Sequence, residues 1–164
     1  MQSYGIIGQT APPWHVNQWL NVEDEQKNMQ LTDYAGKVLY LYSFQSWCPG
    51  CHSHGFPTLL KVQEHFAEDE DVVFVAIQTV FEGFDQNTVQ AAEQVVKKFG
   101  LTIPVGHDPG QDGKRSDIMK NYRTGGTPWV VIIDKQGVVR YNDFHIQVPQ
   151  AINLINDFQQ QEKN

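Results

Sequence analysis

Val38-Leu39-Tyr40-Leu41-Tyr42-Ser43-Phe44 runs directly into Gln45-Ser46-Trp47-Cys48-Pro49-Gly50-Cys51. The first seven residues are apolar and rich in β-branched and aromatic types, which predicts a strand. Beyond Cys51, Phe56, Leu59, Leu60 and Phe66 recur at spacings of three, four and seven, which predicts one face of a helix. The two cysteines therefore fall where a strand gives way to a helix, and the chain has no others.

That position carries chemistry. Cys48 can cap the helix, and Pro49 suits the first helical position, where a missing N–H costs nothing. A Cys48 thiolate would face unpaired backbone N–H groups and the positive end of the helix dipole. The pKa of Cys48 is then expected below the free-thiol value of about 8.5. Cys51, one turn further in, is close enough to close a small disulfide. Cys48 is thus the candidate attacking sulfur and Cys51 the candidate resolving one.

The segment Phe44-Gln45-Ser46-Trp47-Cys48-Pro49-Gly50-Cys51 resembles the active-site segment of thioredoxin-fold proteins, particularly the redoxin branch. That branch holds the TlpA-like thiol:disulfide oxidoreductases and the alkyl hydroperoxide reductase/thiol-specific antioxidant group. Gly125-Gly126-Thr127-Pro128-Trp129-Val130-Val131-Ile132-Ile133-Asp134 resembles the family's cis-proline loop and the strand after it. Leu31-Thr32-Asp33-Tyr34-Ala35-Gly36-Lys37 is similar to the loop before the active-site strand. The resemblance covers the chain from about Ala11 onward. It implies a thioredoxin fold, an α/β arrangement with a central mixed sheet flanked by helices on both faces. It also implies a cis Thr127–Pro128 bond, with Pro128 against the disulfide and the Thr127 backbone free to pair with an extended substrate. Trp47, Thr127 and Pro128 are the candidate substrate-binding residues, and Gln45 and Trp129 are candidates to flank the site.

The chain departs from the family pattern at the resolving thiol. Thioredoxins place a buried acid six residues before the first cysteine, and that position is Tyr42 here. TlpA-like proteins often place a glutamate just before the helix proline, where this chain has Gly55 and Phe56 before Pro57. His52 and His54 are the candidate proton acceptors, since imidazole titrates in the right range. The bland reading of both is a solvated surface histidine.

Three other chemistries fit parts of the segment. Peroxiredoxins place a proline and a threonine ahead of their cysteine where this chain has Leu41 and Gln45, which disfavours direct peroxide reduction. Cys48-Pro49-Gly50-Cys51-His52 matches a haem-attachment string, but an apolar strand runs straight into it. Zinc held by Cys48, Cys51, His52 and His54 would crowd all four ligands into one helix start, whereas structural zinc sites draw pairs from separate segments. A noncatalytic binding module would have no need of both cysteines. The expected activity is thiol–disulfide exchange on protein or small-molecule disulfides and dithiols, with no metal and no cofactor.

The remaining bounds agree with that reading. The 164 residues suggest one domain, with residues 1–13 as an N-terminal loop extension. A net charge of −7 without a Lys/Arg cluster argues against nucleic acid as a partner. No apolar run approaches the roughly 20 residues of a membrane helix. No basic and apolar leader is visible at Met1–Gln9, so the expected compartment is cytoplasmic, or periplasmic if a leader has been removed.

Elsewhere, Trp14–Leu20 reads as a short edge strand, Asn21–Asn28 as a surface turn and Leu31–Lys37 as a loop. The helix after Cys51 is expected to run to about Ala67, with a kink at Gly55 and Pro57. Val72–Ile77 is apolar throughout, the pattern of a central strand. Asn87, with Gln90 three residues on, reads as the cap of a helix that ends at Gly100. Leu101–Val105 reads as a strand broken by Pro104, His107–Arg115 as a loop and Ile118–Tyr122 as helical turns. Trp129–Ile133 and Val138–Tyr141 form a hairpin about Asp134–Gly137, and Pro149 opens a last helix.

Overall fold

The computed structural model of the chain describes residues 4–23 and 29–161. Parts of the two loop readings, residues 1–3 and 24–28, lie outside the described residues. Six strands form one sheet: β1 (Gln18–Leu20), β2 (Val38–Phe44), β3 (Val72–Thr79), β4 (Val105–Asp108), β5 (Trp129–Ile133) and β6 (Val139–Phe144). Their order across the sheet is β1-β4-β3-β2-β5-β6. β2 pairs parallel with β3 and antiparallel with β5, so the sheet is mixed. The helices are α1 (Phe56–His65), α2 (Val89–Phe99), α3 (Asp117–Tyr122) and α4 (Val148–Gln159).

Strand β2 is buried along its whole length, and its period of two divides the core. Val38, Tyr40, Tyr42 and Phe44 point into a core shared with Phe56, Leu59 and Val62 of α1, Ala92 and Val95 of α2, and Ala151 and Ile155 of α4. Leu39 and Leu41 point the other way, toward Trp14, Trp19, Ile118 and Tyr122. Each such side chain gains roughly 1.5–3 kcal/mol on leaving water, so β2 ties the two cores together. Its C-terminal end then delivers Gln45–Cys48 to one edge of the molecule.

Four local readings need correction. The cap of α2 is Thr88, whose Oγ1 accepts from the Ala91 N–H at 3.1 Å. Asn87 turns inward instead and is buried. The fourth strand begins only after Pro104, which has no N–H for a ladder; its carbonyl accepts from Ala76 at 3.1 Å. Leu101 and Ile103 fill the core without pairing, while His107 and Asp108, read as loop, belong to β4. The edge strand shortens to Gln18–Leu20, because Trp14 is buried and its Nε1–H donates to the Tyr122 hydroxyl at 3.1 Å. Leu31–Tyr34, read as loop, forms a 3₁₀ turn.

The helix after Cys48 departs from an α-helix in another way. Pro49 and Gly50 are already helical, Cys51–Gly55 forms a π turn, and α1 continues from Phe56. The Phe56 N–H reaches back five residues to the Cys51 carbonyl, and Pro57 has no N–H to offer the normal ladder. Gly55 is required by its neighbour. A Cβ there would sit 1.9 Å from the Tyr42 hydroxyl.

Candidate active site

The site forms where β2 ends, the helix begins and the loop before β5 comes alongside. Cys48 sits at the helix mouth, half-buried, and its Sγ accepts the Cys51 backbone N–H at 3.2 Å. This is an N-cap hydrogen bond made to sulfur. On its other side the Cys48 sulfur lies 3.6 Å from the Thr127 carbonyl, to which it donates when protonated. The Thr127–Pro128 bond is cis. Pro128 lies over Gly50, whose Cβ position is 3.4 Å from the proline Cδ. Cys48, Cys51, Thr127 and Pro128 are therefore brought together.

The two sulfurs are electrostatically unequal. Cys48 is drawn down to about 6, first by the hydrogen bond from the Cys51 thiol, with partial burial opposing. The Thr127 side chain and the backbone N–H groups of Cys51 and Gly50 add to the lowering. Cys51 is fully buried, and burial together with its hydrogen bond to Cys48 pushes its thiol far up. At neutral pH the outer sulfur is a thiolate and the inner one a thiol. The neighbouring thiol acts on Cys48 more strongly than the helix N–H groups do, which the reading from helix position alone did not include.

Trp47 is 47 % exposed, and Phe144 at the end of β6 is 59 % exposed. With Cys48, Pro49, Glu82 and Thr127 they line an open groove of about 530 Å³. The indole of Trp47 rests on Gly83, where a Cβ would come within 2.6 Å of the ring, and Gly83 has a φ of +58°. Trp129 does not line the groove. It is buried beneath Gly125, with Nε1–H donating to Asn142 at 2.7 Å and the Tyr4 ring edge-on at 5.8 Å.

Three buried amides hold the approach to Cys48: Gln45, expected to flank the site, Gln78, which the sequence reading missed, and Asn87, read there as a helix cap. Gln78 Oε1 accepts from the Ser46 N–H at 2.8 Å and the Ser46 hydroxyl at 2.6 Å. Asn87 Oδ1 accepts from the Trp47 N–H at 3.0 Å, and its Nδ2 donates to the Glu82 carbonyl at 3.0 Å. Gln45 Oε1 accepts from the Phe81 N–H at 3.1 Å and from Asn87. The loop before Cys48 and the loop before α2 are thereby fastened to each other. Buried amides that lose a partner are costly, so this network sets a single loop geometry.

The histidines lie elsewhere. Lys98 donates to His52 Nδ1 at 2.8 Å, so Nε2 carries the proton and donates to the Ser46 carbonyl at 2.7 Å. His54 faces His145, with ring centroids 6.0 Å apart. His145 is shifted down by burial and then by His54, and its backbone N–H donates to the Pro128 carbonyl at 3.2 Å. Neither His52 nor His54 is a hydrogen-bond partner of Cys51 among the described residues. Their expected role in accepting its proton has no contact to rest on. Among the described residues no three His, Cys, Asp or Glu side chains converge as a metal site would require.

Known proteins resemble this chain in sequence and in fold. The chain is 26 % identical over 135 residues to thiol-disulfide oxidoreductase ResA of Oceanobacillus iheyensis, covering 81 % of this chain and 62 % of that one. It is 29 % identical over 133 residues to ResA of Bacillus anthracis, covering 81 % and 66 %. It thus spans somewhat less than two thirds of the length of these curated relatives. A crystal structure of a thioredoxin-like superfamily protein superposes with a TM-score of 0.86 at 32 % identity, covering 94 % of this chain and 99 % of that one. The crystal structure of a thiol-disulfide isomerase from Corynebacterium glutamicum superposes with a TM-score of 0.81 at 26 % identity, covering 94 % and 98 %. The fold is the thioredoxin fold. The Redoxin family model matches residues 7–153, a span that takes in the strand, both cysteines and the proline loop, and the chain belongs to that family.

Proposed function

We propose that the chain is a thiol–disulfide oxidoreductase working through Cys48 and Cys51. The observation that carries this reading is the pairing of an outer sulfur held near a pKa of about 6 with a buried, protonated sulfur one turn away. The Cys48 thiolate attacks a substrate disulfide and forms a mixed disulfide, expelling one substrate sulfur. Cys51 then attacks the Cys48 sulfur, expels the second substrate sulfur and leaves the pair oxidised. The reverse sequence oxidises a dithiol, and direction follows the potential of the partner that resets the pair. The open groove beside Cys48, with the Thr127 carbonyl on its wall and Trp47 and Phe144 on its rim, supports protein disulfides as substrates. Among the described residues no helix is long and apolar enough to cross a membrane.

Insulin reduction tests the reading. Cys48→Ser abolishes turnover, and Cys51→Ser accumulates mixed disulfides visible by mass. Full turnover by Cys51→Ser would remove the two-cysteine mechanism.

A further inference from the structure

If Cys48 and Cys51 carry out the exchange proposed above, the resolving step poses a problem for Cys51. To expel a substrate from Cys48, Cys51 must ionise, yet it is fully buried. A neighbouring base would serve, but no carboxylate is among the groups that act on it most strongly. The titratable groups that do are Cys48 and Tyr42. His52 is occupied by Ser46 and Lys98, and His54 faces His145.

Tyr42 is buried directly behind the sulfur. Its hydroxyl donates to the Cys51 carbonyl at 3.2 Å, and its side chain favours ionisation of the Cys51 thiol. The chain makes room for that hydroxyl by having glycine at position 55, where a Cβ would lie 1.9 Å from it. The π turn supplies the same carbonyl with a second donor, the Phe56 N–H. The carbonyl therefore keeps a partner when the hydroxyl turns away. The Gln45 backbone also favours the ionised sulfur.

We propose that Tyr42 is a catalytic hydrogen-bond donor to the resolving sulfur: its hydroxyl moves from the Cys51 carbonyl to the Cys51 sulfur as that sulfur ionises. Burial holds the Tyr42 proton tightly, so the hydroxyl donates and does not act as a base. In the step itself the Cys51 sulfur bonds to the Cys48 sulfur. The Cys48–substrate S–S bond breaks, and its electron pair leaves on the substrate sulfur. The proton lost by Cys51 reaches that leaving sulfur through solvent. Tyr42 is unchanged at the end.

Reaction of the reduced protein with dithiobis(nitrobenzoate) separates the two steps. One coloured thiolate leaves when Cys48 attacks and a second leaves when Cys51 resolves. Tyr42→Phe is expected to leave the first phase within twofold and to slow the second by about tenfold, the loss of one hydrogen bond to a charged group. The pH profile of the second phase should also move upward in this variant. In the unaltered chain the second phase should keep rising above about pH 8, whereas a base such as histidine would flatten it near pH 6–7. A plateau in that profile overturns the role of Tyr42 even if Tyr42→Phe does not fold. A normal first phase with an unaltered second phase in Tyr42→Phe, or a plateau near neutrality in the unaltered chain, overturns the role of Tyr42 alone. Absence of the first phase in the unaltered chain overturns the reading of Cys48, and this proposal with it.

Discussion

The backbone N–H of Cys51 points at the sulfur of Cys48 across 3.2 Å, while the Cys51 side chain lies buried behind it. One residue thus both stabilises the thiolate and waits to resolve it. Native-state alkylation with iodoacetamide should therefore label Cys48 alone, with a midpoint near pH 6, where the outer thiol titrates. A midpoint near the free-thiol value of about 8.5 would show that the helix mouth does not hold the charge.

The same shift makes the reduced fold sensitive to pH. Between about 6 and the unfolded value of about 8.5, the folded chain has lost the Cys48 proton and the unfolded chain retains it. The unfolded state binds more protons there, so stability of the reduced protein should rise with pH across that window. The contribution is complete above the unfolded value and disappears as pH falls through about 6. Urea midpoints of the reduced protein, compared with Cys48→Ser, should converge below about pH 6 and separate above it. Parallel curves would contradict the shift.

Gly55 has almost no tolerance for a side chain, because a Cβ would meet the Tyr42 hydroxyl at 1.9 Å. Gly55→Ala should cost about 1–3 kcal/mol or more through overpacking. At roughly 2–4 °C per kcal/mol for a chain of this size, thermal unfolding should fall by about 2–12 °C. An unchanged melting temperature would mean that the π turn and Tyr42 are not in contact.

Asn87 bridges the Trp47 N–H and the Glu82 carbonyl from a buried position. Asn87→Ala strands both groups and should cost about 1–3 kcal/mol, read as a lower urea midpoint at constant slope. A neutral effect would show that solvent replaces the amide without loss.

How much of the fold and the site is legible in the sequence depends on how local each signal is. The strand, the helix and the paired cysteines follow from a run of apolar residues meeting Cys48-Pro49-Gly50-Cys51, which is local information. Thr127–Pro128 was placed by resemblance, and its approach to Cys48 depends on β2 and β5 pairing antiparallel. Asn87 was misread because a buried amide and a helix cap look alike in sequence, and only the neighbouring Thr88 separates them. Phe144 was missed as a site residue. An aromatic at the end of the polar run Arg140-Tyr141-Asn142-Asp143 was its one signal, and the side it faces is set by the register of β6 on β5. Trp129 was expected to flank the site, but it is buried in the core with Leu39 and Leu41, its indole N–H held by Asn142. Tyr42 was visible only as a missing acid, since its contact with Gly55 depends on how the helix docks on β2.

The most direct test is equilibration of the purified chain in a graded series of dithiol/disulfide buffers, followed by acid quenching and intact mass. One cooperative two-electron transition is predicted, from a dithiol form to a form lighter by two hydrogens, with Cys48 and Cys51 joined to each other. Cysteines that stay reduced at every poise, or that end in adducts or linked dimers rather than in one internal bond, would contradict the account.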